Sequence, residues 1–278
     1  MQDQAFTLRQ MVSQITSVGG STRARRIVLS GCKGGVGTTT LAVNLGIALR
    51  KQQRRVLLVD ANPNRGDIAA ICGLRGNGEI DESTVIRCTV EQLSLSGPAG
   101  VHVLPRFDAQ AGAPGTSARQ LMNYLQTADH AFDYIVVDAG CCPMTAEVIW
   151  PSADLAMVVA TPDTVALTDA YMLIKSISGN GVLANIGFVI NRSFHEAVTR
   201  DIARRLTETC RRFLQLRVRP VGAGMVPDDP RMVSAAANGR MIVCAFPGSP
   251  SALAVTEIAK QMTEMDFADA GLNSLLPA

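Results

Sequence analysis

The sequence predicts one α/β domain, doubly wound, with a mainly parallel sheet and helices on both faces. Apolar, β-branched runs alternate with helical patterns across most of the 278 residues, an order typical of a parallel sheet. Two of these runs, Arg55 to Asp60 and Phe132 to Asp138, end in a carboxylate. The glycine-rich stretch Ser30 to Thr40 joins the strand-like run Arg26 to Leu29 to a helical pattern that starts at Leu41. Open α/β sheets bind their ligands at such strand ends.

The composition indicates a globular chain. Apolar residues make up 47% and charged residues 18%, which is outside the disordered range. No apolar run approaches the roughly 20 residues that a membrane span needs, and the net charge of +2 makes no strong claim for nucleic acid or membranes. The seven cysteines show neither disulfide nor zinc spacing. We therefore expect reduced thiols in the cytoplasm, with peripheral contact to the inner membrane through partners as a further option.

The start of the chain predicts an amphipathic helix over residues 1–17, tethered by a linker over residues 18–25. Asp3 can cap this helix. The apolar residues at three- and four-residue spacing on one face are Ala5, Leu8, Met11, Val12 and Ile15. A helix on a glycine- and serine-containing linker can dock on its own domain or on a partner, and both options remain open. Residues 26–264 then form the main domain, and residues 265–278 are expected to be a flexible tail.

The stretch after the first strand has the pattern of a phosphate cradle. Gly34, Gly35 and Gly37 allow backbone N–H groups to point inward, and the following helix offers its positive dipole end to an anion. The expected ligand is a nucleoside triphosphate. Thr38 stands where a phosphate-binding loop normally has lysine, and Cys32 takes the first glycine position. Loss of that lysine should weaken nucleotide binding, catalysis, or both.

The sequence Lys33-Gly34-Gly35-Val36-Gly37-x-Thr39-Thr40 resembles the deviant Walker A motif of the MinD/ParA ATPases. The resemblance covers residues 26–262 and implies a nucleotide-dependent homodimer in which Lys33 acts as a catalytic residue by reaching the partner's phosphates. It also implies ATP or ADP as ligand and Mg²⁺ held in part by Thr39. The loop residues expected to contact nucleotide are Lys33, Gly34, Gly35, Val36, Gly37, Thr38, Thr39 and Thr40.

Two further loops resemble the switch regions of this family. Asp60 matches the first carboxylate of switch I, and Asn62 replaces the second, which helps to place the attacking water in the family. An amide at that position can hydrogen-bond but cannot accept a proton. Asp138 resembles the Walker B carboxylate, which holds magnesium through water, and Cys142 replaces the switch II glycine. With Thr38, Asn62 and Cys142 in place of expected groups, we expect slow or absent hydrolysis.

Two segments near the end of the domain resemble the family's adenine site. Asn191 follows a predicted strand, and its amide has the donor and acceptor that an adenine edge needs. Its context, Val189-x-Asn191-Arg192, is similar to the family's. The segment Pro227-Asp228-Asp229 resembles the family's Pro-x-Asp segment. Asn191, Arg192, Pro227 and Asp228 are therefore candidate nucleotide contacts.

The sequence assigns no catalytic residue to four further segments: residues 73–100, 118–128, 196–213 and the tail. Residues 73–100 read as loop-rich with a short helix at Val90 to Leu93, and a helix is expected over residues 118–128. The five arginines of the predicted helix 196–213 alternate with acidic residues, which favours a solvated face over DNA binding. The tail from Met262 contains Glu264, Asp266 and Asp269 and has no basic residue after Lys260, so membrane binding through it is doubtful.

Within the family, the chain resembles the FlhG branch, proteins of the YlxH and FleN type that regulate flagellar number or placement. The N-terminal pattern implies binding of an FlhF-like GTPase through Asp3, Gln4, Ala5, Leu8 and Arg9. A non-hydrolysing scaffold similar to the TadZ/CpaE pilus-localisation proteins remains an alternative, although those proteins usually carry an additional N-terminal domain. A ParA-type partitioning ATPase is a third possibility, and it would require salt-sensitive DNA binding.

Overall fold

The computed structural model describes residues 23–63, 68–74, 88–104, 106, 114–163, 165–178 and 185–265. The predicted N-terminal helix, with Asp3, Gln4, Ala5, Leu8 and Arg9, lies outside the described residues, as does the tail from residue 266. The first strand begins at Arg25, and Ala24 is already buried. The first strand therefore begins one residue before the predicted run Arg26 to Leu29.

Eight strands form one sheet in the order β3-β4-β2-β5-β1-β6-β7-β8. All neighbouring pairs are parallel except the edge pair β3 and β4, which is antiparallel. The strands are β1 Arg25–Gly31, β2 Val56–Asp60, β3 Leu95–Ser96, β4 His102–Leu104, β5 Tyr134–Asp138, β6 Leu155–Ala160, β7 Asn185–Ser193 and β8 Val218–Pro227. The prediction of a doubly wound, mainly parallel sheet is confirmed.

Helices cover both faces of this sheet, because every central strand is apolar on both sides and must be shielded twice. They are α1 Thr38–Lys51, α2 Ile68–Ile71, α3 Val90–Leu93, α4 Pro114–Leu125, α5 Pro143–Ile149, α6 Ala166–Ser178, α7 Glu196–Leu214, α8 Pro230–Ala237, α9 Ile242–Ala245 and α10 Pro250–Glu264. One core cluster contains buried residues of α4, α5, α6 and α7, and a second, on the opposite face, contains those of α1, α8, α9 and α10. Among the described residues, every helix is too short or too polar to traverse a bilayer.

The fourth helix differs from its predicted bounds of 118–128. It begins at Pro114, because proline suits the first helical position, where its missing N–H would have no partner. The α-helix ends at Leu125, and residues Gln126–Ala128 tighten into a 3₁₀ turn. The short helix α3 agrees with the prediction and is held by a capping box between Thr89 and Gln92.

Two buried polar contacts involve the central strand β1. Near its start, the Arg26 guanidinium donates from Nη2 to both carboxylate oxygens of Asp129, at 2.8 Å each. Near its end, the indole Nε1 of the buried Trp150 donates to Ser30 Oγ at 2.9 Å. Buried polar groups need such partners, so these contacts help to fix β1 within the sheet.

Candidate functional site: a nucleotide cradle at the strand ends

The candidate cradle is the loop between β1 and α1. Gly31 N–H donates to Gly140 O at 2.7 Å, and Cys32 N–H donates to Val159 O at 3.0 Å. These bonds extend β1 between the ends of β5 and β6, so the loop begins at a fixed position. Gly34 and Gly35 are exposed at its outer edge, and Val36 is buried beneath it. The glycine-rich stretch is therefore a turn between a strand and a helix, as the sequence predicted, and the hydrogen bonds at its start fix its position.

Asn191, predicted as an adenine contact, lies directly against this loop. Its Nδ2 donates to Val36 O at 2.8 Å. Gly37, the N-cap of α1, has φ 90°, and a β-carbon there would lie 2.5 Å from Asn191 Nδ2. Only glycine satisfies both the left-handed backbone and this close approach. The end of β7 thus supports the phosphate loop in addition to bordering the site.

Thr38, at the position of the missing lysine, points back into the protein. It is buried, and its Oγ1 lies 2.5 Å from where a β-carbon on Gly31 would be. Thr39 and Thr40 are partly exposed in the first turn of α1. The N-terminal turn of α1 therefore offers hydroxyl and N–H groups to an anion but contributes no positive side chain.

Lys33 is held by an acidic residue of its own chain. Its Nζ lies 2.6 Å from Asp163 Oδ2, which also accepts from Thr161 Oγ1 at 2.7 Å. Asp163 Oδ1 accepts from Val165 N–H at 3.2 Å. The hydrogen bond from Lys33 lowers the pKa of Asp163, and the same bond raises the pKa of Lys33. Both side chains are 40% exposed, so this ion pair lies at the solvent-facing rim of the cradle.

The two predicted acidic residues lie opposite each other at the ends of β2 and β5. Asp60 and Asp138 are paired in the strand register, and both are buried. Asp60 accepts from Asn62 N–H at 3.2 Å and from Ile68 N–H at 3.1 Å, so it holds the described residue Asn62 and the start of α2 in place. Asp138 Oδ1 accepts from Gly140 N–H at 3.0 Å. The adjacent strands bring both acids to the edge of the sheet where the cradle lies.

The turn after β5 obtains its unusual backbone from Gly140 rather than from position 142. Gly140 has φ 63°, and a β-carbon there would collide with the Asn62 side chain. Cys142 is the N-cap of α5, with an extended φ of −94° that any residue adopts. The cysteine in place of the family glycine is therefore compatible with this conformation. The close approach of Asn62 to Gly140 connects the two switch loops.

The segment with Pro227 and Asp228, which forms the second part of the predicted adenine site, lies next to Asn191. Asn191 pairs with Val226, and Asp228 N–H donates to Ser193 O at 3.0 Å. Arg192 is exposed and has a left-handed backbone, with φ 56°. This conformation is rare for a residue other than glycine and is concentrated at functional sites. Arg192, Pro227 and the exposed Asp228 thus lie at one corner of the sheet.

Asp229, the last residue of the Pro-x-Asp segment, lies beside the predicted nucleotide contacts although it was not selected as one of them. It caps α8, accepts from Arg231 N–H and Nε and from Ser251 Oγ, and is buried. Burial opposes its ionisation, but the hydrogen bonds from Arg231 and Ser251 outweigh that cost and lower the pKa of Asp229 to about 2. This carboxylate joins the start of α8 to the start of α10 beside the candidate adenine site. Two features of the sequence mark it: it is the acidic residue of the Pro-x-Asp segment, and it takes the N-cap position before Pro230.

The residues present fit a magnesium ion shared with nucleotide phosphates. Within the described part of the chain, no group of three or more acidic, histidine or cysteine side chains could hold a metal alone. Mg²⁺ at phosphate sites typically takes one or two protein ligands and completes its shell with phosphate oxygens and water. A partly exposed hydroxyl at Thr39 and a buried carboxylate at Asp138 suit that arrangement.

Comparisons with known proteins agree with this geometry. A family model described as "ParA: NUBPL iron-transfer P-loop NTPase" matches residues 22–263. The antiactivator FleN of Pseudomonas aeruginosa is 29% identical over 241 residues, which are 85% of each chain. The flagellum site-determining protein YlxH of Helicobacter pylori is 26% identical over 167 residues, 55% of this chain and 54% of that protein.

Solved structures give the same fold. The septum site-determining protein MinD of Pyrococcus horikoshii, solved as a complex with Mg-ADP, superposes with a TM-score of 0.68. The match covers 90% of this chain and 99% of that one at 22% identity. The similarity to FleN confirms the expected likeness to the FlhG branch, and the family match extends over nearly the whole described domain. The chain therefore belongs to the ParA/MinD family of P-loop NTPases.

Proposed function

We propose that this chain is an ATP-binding regulator of flagellar number or placement that acts as a nucleotide-dependent homodimer with weak or absent hydrolysis. The observation that carries the proposal is the placement of the side chains at positions 33 and 38, the two positions of the loop where a lysine would bind phosphate. Thr38 is turned into the protein, whereas Lys33 is retained at the exposed rim. Lys33 therefore keeps a positive charge in the loop, and its exposed position suits contact with the phosphates of a second chain. Similarity to FleN and YlxH supports the flagellar role.

In this proposal the cradle of each chain binds ATP with Mg²⁺. Backbone N–H groups of residues 33–38 and the first turn of α1 face the phosphates, where the dipole of α1 favours negative charge. Thr39 and Asp138 hold the magnesium ion, which neutralises phosphate charge. The adenine contacts are assigned to the corner formed by Asn191, Arg192, Pro227 and Asp228. Lys33 leaves Asp163 and donates to the phosphates of the partner chain.

Hydrolysis should be slow for two reasons. Asn62 can orient a water molecule but cannot take its proton. The lysine that would stabilise charge on the transferring phosphoryl group is absent, and removing one such electrostatic group commonly costs about 10²-fold or more in rate. Mg²⁺ and ATP therefore act here chiefly as ligands that bring two chains together. The ATP-bound dimer, rather than ATP hydrolysis, would then exert the regulatory effect.

The domain assignments follow from this proposal. Residues 1–17 would contact an FlhF-like GTPase, residues 26–264 would bind nucleotide, and residues 265–278 would form the tail. In the sequence, the pattern Asp3-Gln4-Ala5-x-x-Leu8-Arg9 supports the GTPase contact. DNA binding and direct membrane binding are not part of the proposal, since the paired charges on α7 reduce its attraction for phosphates.

The test is calorimetric titration with ATP and magnesium, combined with light scattering of the full chain. We expect ATP binding and a doubling of mass, and loss of the doubling in Lys33→Ala. Lys175→Ala, which removes an exposed lysine in α6, is the matched control and should behave as the wild type. Absence of ATP binding, or a dimer that forms equally well in Lys33→Ala, would contradict the proposal.

A TadZ/CpaE-like scaffold is a second candidate, because the inward-turned Thr38 also suits a protein that binds nucleotide without hydrolysing it. The two candidates differ at the N-terminal segment. A flagellar regulator should stimulate GTP hydrolysis by an FlhF-like GTPase, and Leu8→Asp should abolish that stimulation while ATP binding persists. ATP-dependent dimerisation without any effect on the GTPase would favour the scaffold.

A further inference from the structure

An arginine-rich surface lies where α7 ends and β8 begins. Its four arginines are all exposed: Arg211 and Arg212 in α7, Arg217 in the connecting turn and Arg219 in β8. Phe213, which is 64% exposed, directly follows Arg212. We call these five residues the arginine surface. In the part of the chain that the structure describes, none of its arginines forms an ion pair with a carboxylate.

The connecting turn keeps Arg217 close to the end of α7. Gln215 ends the helix in a left-handed conformation, with φ 57°. The N–H of the next residue, Leu216, donates to Cys210 O at 3.3 Å, and both of these side chains are buried. The chain therefore folds back onto the last turn of α7 before it reaches Arg217. Arg219 follows two residues later, a span of about 7 Å in an extended chain, so the four arginines belong to one region of the surface.

The first half of α7 provides an internal comparison. Its three arginines are all paired with acidic residues three or four positions away, in the pairs Arg200 with Glu196, Arg204 with Asp201 and Glu208, and Arg205 with Asp201. The helix therefore compensates its own charge everywhere except at its end. In a chain whose net charge is only +2, four uncompensated positive charges in one region indicate a site for negative charge.

The dipole of α7 explains only part of this positive charge. Basic residues in the last turn of a helix interact favourably with its negative end, which accounts for Arg211 and Arg212. It does not account for Arg217 and Arg219, which lie beyond the helix. The second pair of arginines therefore calls for an external negative group.

The arginine surface also has an apolar component. The Arg212 guanidinium carbon lies 5.4 Å from the centroid of the exposed Phe213 ring. A surface hollow of about 450 Å³ is lined by Glu208, Thr209, Arg211, Arg212 and Phe213. Arginine and aromatic residues are the side chains most enriched where proteins bind one another. The hollow thus presents an aromatic ring and guanidinium groups to the same occupant.

The neighbouring edge of the sheet limits how an occupant can bind. β8 is the last strand of the sheet. Pro220 has no N–H to donate, and the Gly222 N–H already donates to Gln261 Oε1. Both features interrupt the hydrogen-bond ladder that an added strand would need. We therefore expect the occupant to bind through its side chains.

The charges around the hollow favour a protein segment over a phosphate polymer. Glu208 places a negative charge at one wall, so an occupant must present carboxylates beside the arginines and uncharged atoms elsewhere. A nucleic acid backbone carries a charge at every unit and cannot make that distinction. A protein segment can combine carboxylates, which match the fork of a guanidinium group, with apolar side chains for Phe213.

We propose that the arginine surface binds an acidic segment of a partner protein, with carboxylates against the arginines and an apolar side chain in the hollow against Phe213. The surface lies at the far end of α7 from the cradle, about 28 Å away along a helix of 19 residues. It therefore stays accessible when two chains meet at their cradles. The interaction goes beyond the proposed function and does not depend on nucleotide binding.

Fluorescence anisotropy with a labelled acidic peptide tests this proposal on the full chain. The probe consists of repeated Asp-Phe-Glu-Leu units. One matched peptide carries Asn and Gln in place of the acids, and a second carries Ser in place of the apolar residues. We expect the probe to bind and each matched peptide to bind about 10-fold or more weakly, because each lacks one of the two components that the surface recognises.

Two double variants test the arginines separately. Arg211→Glu with Arg212→Glu should weaken binding of the acidic peptide by about 10-fold or more, as should Arg217→Glu with Arg219→Glu outside the helix. A peptide with lysine in place of every acid should show the reverse order and bind both double variants more tightly than the wild type.

Two further variants separate the ring from net charge. Phe213→Ser should abolish the preference for the acidic peptide over its serine counterpart. Arg54→Glu with Arg240→Glu alters two exposed arginines elsewhere and should bind as the wild type does. Circular dichroism checks that each variant is folded, and every substituted side chain is exposed.

Three outcomes would overturn the proposal. The first is a wild-type chain that does not bind the acidic peptide, and the second is binding that survives both arginine double variants. Duplex DNA and phosphatidylglycerol vesicles are titrated in parallel. The third outcome is that either of these binds through Arg211 and Arg212 more tightly than the peptide does, which would assign the surface to phosphate groups.

Discussion

Lys33 and Asp163 form an ion pair within one chain, although 130 residues separate them in the sequence. The Asp163 carboxylate is itself oriented by Thr161 and by the N–H of Val165. In the proposed dimer Lys33 must leave this carboxylate to reach the partner's phosphates. Asp163 therefore competes with the second chain for the same cation.

Asp163→Asn should strengthen ATP-dependent dimerisation. The ion pair is exposed and therefore weak, and a dimer breaks two of them, so we expect association that is tighter by about a few-fold. Sedimentation equilibrium with ATP and magnesium measures it. Asp201→Asn, which removes another exposed carboxylate with arginine partners, is the control and should leave association unchanged. Weaker association in Asp163→Asn would show that Asp163 assists the dimer.

The advantage of Asp163→Asn should be independent of pH near neutrality. The Lys33 hydrogen bond lowers the pKa of Asp163, so the pair is lost only as pH falls through that lowered value. The pKa of Lys33 is raised, so the pair is otherwise lost only as pH rises through that raised value. Repeating the association measurement between about pH 6 and pH 8 should give a constant ratio of variant to wild type.

Thr38→Lys should restore ATP affinity. A charge-assisted hydrogen bond contributes about 1.5–3 kcal/mol, so we expect affinity to rise by about 10-fold or more in calorimetric titration. Thr38→Val, which removes only the buried hydroxyl, is the matched control and should not gain affinity. An unchanged affinity in Thr38→Lys would mean that the side chain at this position cannot turn outward from beneath Gly31.

Gly140→Ala should destabilise the fold more than the same change at Gly35. Both glycines have positive φ, but a β-carbon meets the Asn62 side chain at Gly140 and open space at Gly35. We expect an additional loss of about 1–3 kcal/mol in urea unfolding, the usual cost of overpacking. Asn62→Ala should recover much of that loss when combined with Gly140→Ala. Strict additivity of the two changes would contradict the contact.

Arg26→Ala should cost about 3–5 kcal/mol of unfolding free energy, because it leaves the Asp129 carboxylate without its bidentate partner in a largely buried position. Arg204→Ala is the control. Arg204 also contacts two carboxylates but is 59% exposed, so solvent screens its ion pairs and its loss should lower the unfolding free energy far less than the loss of Arg26. Thermal and urea unfolding measure both, and equal losses would contradict the role assigned to burial.

Cys32 should react slowly with iodoacetamide despite its place at the cradle. Burial, followed by the charge of Asp169, raises its pKa from 9.0 to about 11, so its thiolate fraction falls by roughly 100-fold. The exposed Cys244 is the internal comparison and should be alkylated first when the products are followed by mass spectrometry at pH 8. Rapid alkylation of Cys32 would indicate that the loop opens in solution.

The sheet could be predicted because its strands are long apolar runs that must be buried on both faces. The elements that were missed are too short for any periodicity to develop. Strand β3 has two residues, helix α9 has four, and α5 has seven residues that begin with proline. These elements form because neighbouring segments supply their hydrogen bonds and packing.

The sequence predicts which strand ends form the candidate site, but it does not predict which side chains contact one another there. Asp60, Asp138 and the cradle follow from parallel strands that end at one edge of the sheet. The pairing of Asn191 with Val36 O spans 155 residues, and nothing local in the sequence encodes that distance. Asp163 was missed for the same reason, since Lys33 alone gives no indication of its partner.

The hydrogen bond between Trp150 and Ser30 gives this protein a built-in optical probe. The chain has a single tryptophan, and its indole contacts the residue that immediately precedes Gly31 and the cradle. Intrinsic fluorescence therefore originates at one known position, with no background from other indoles. A change in its emission on addition of ATP would report directly on the end of β1, without any label.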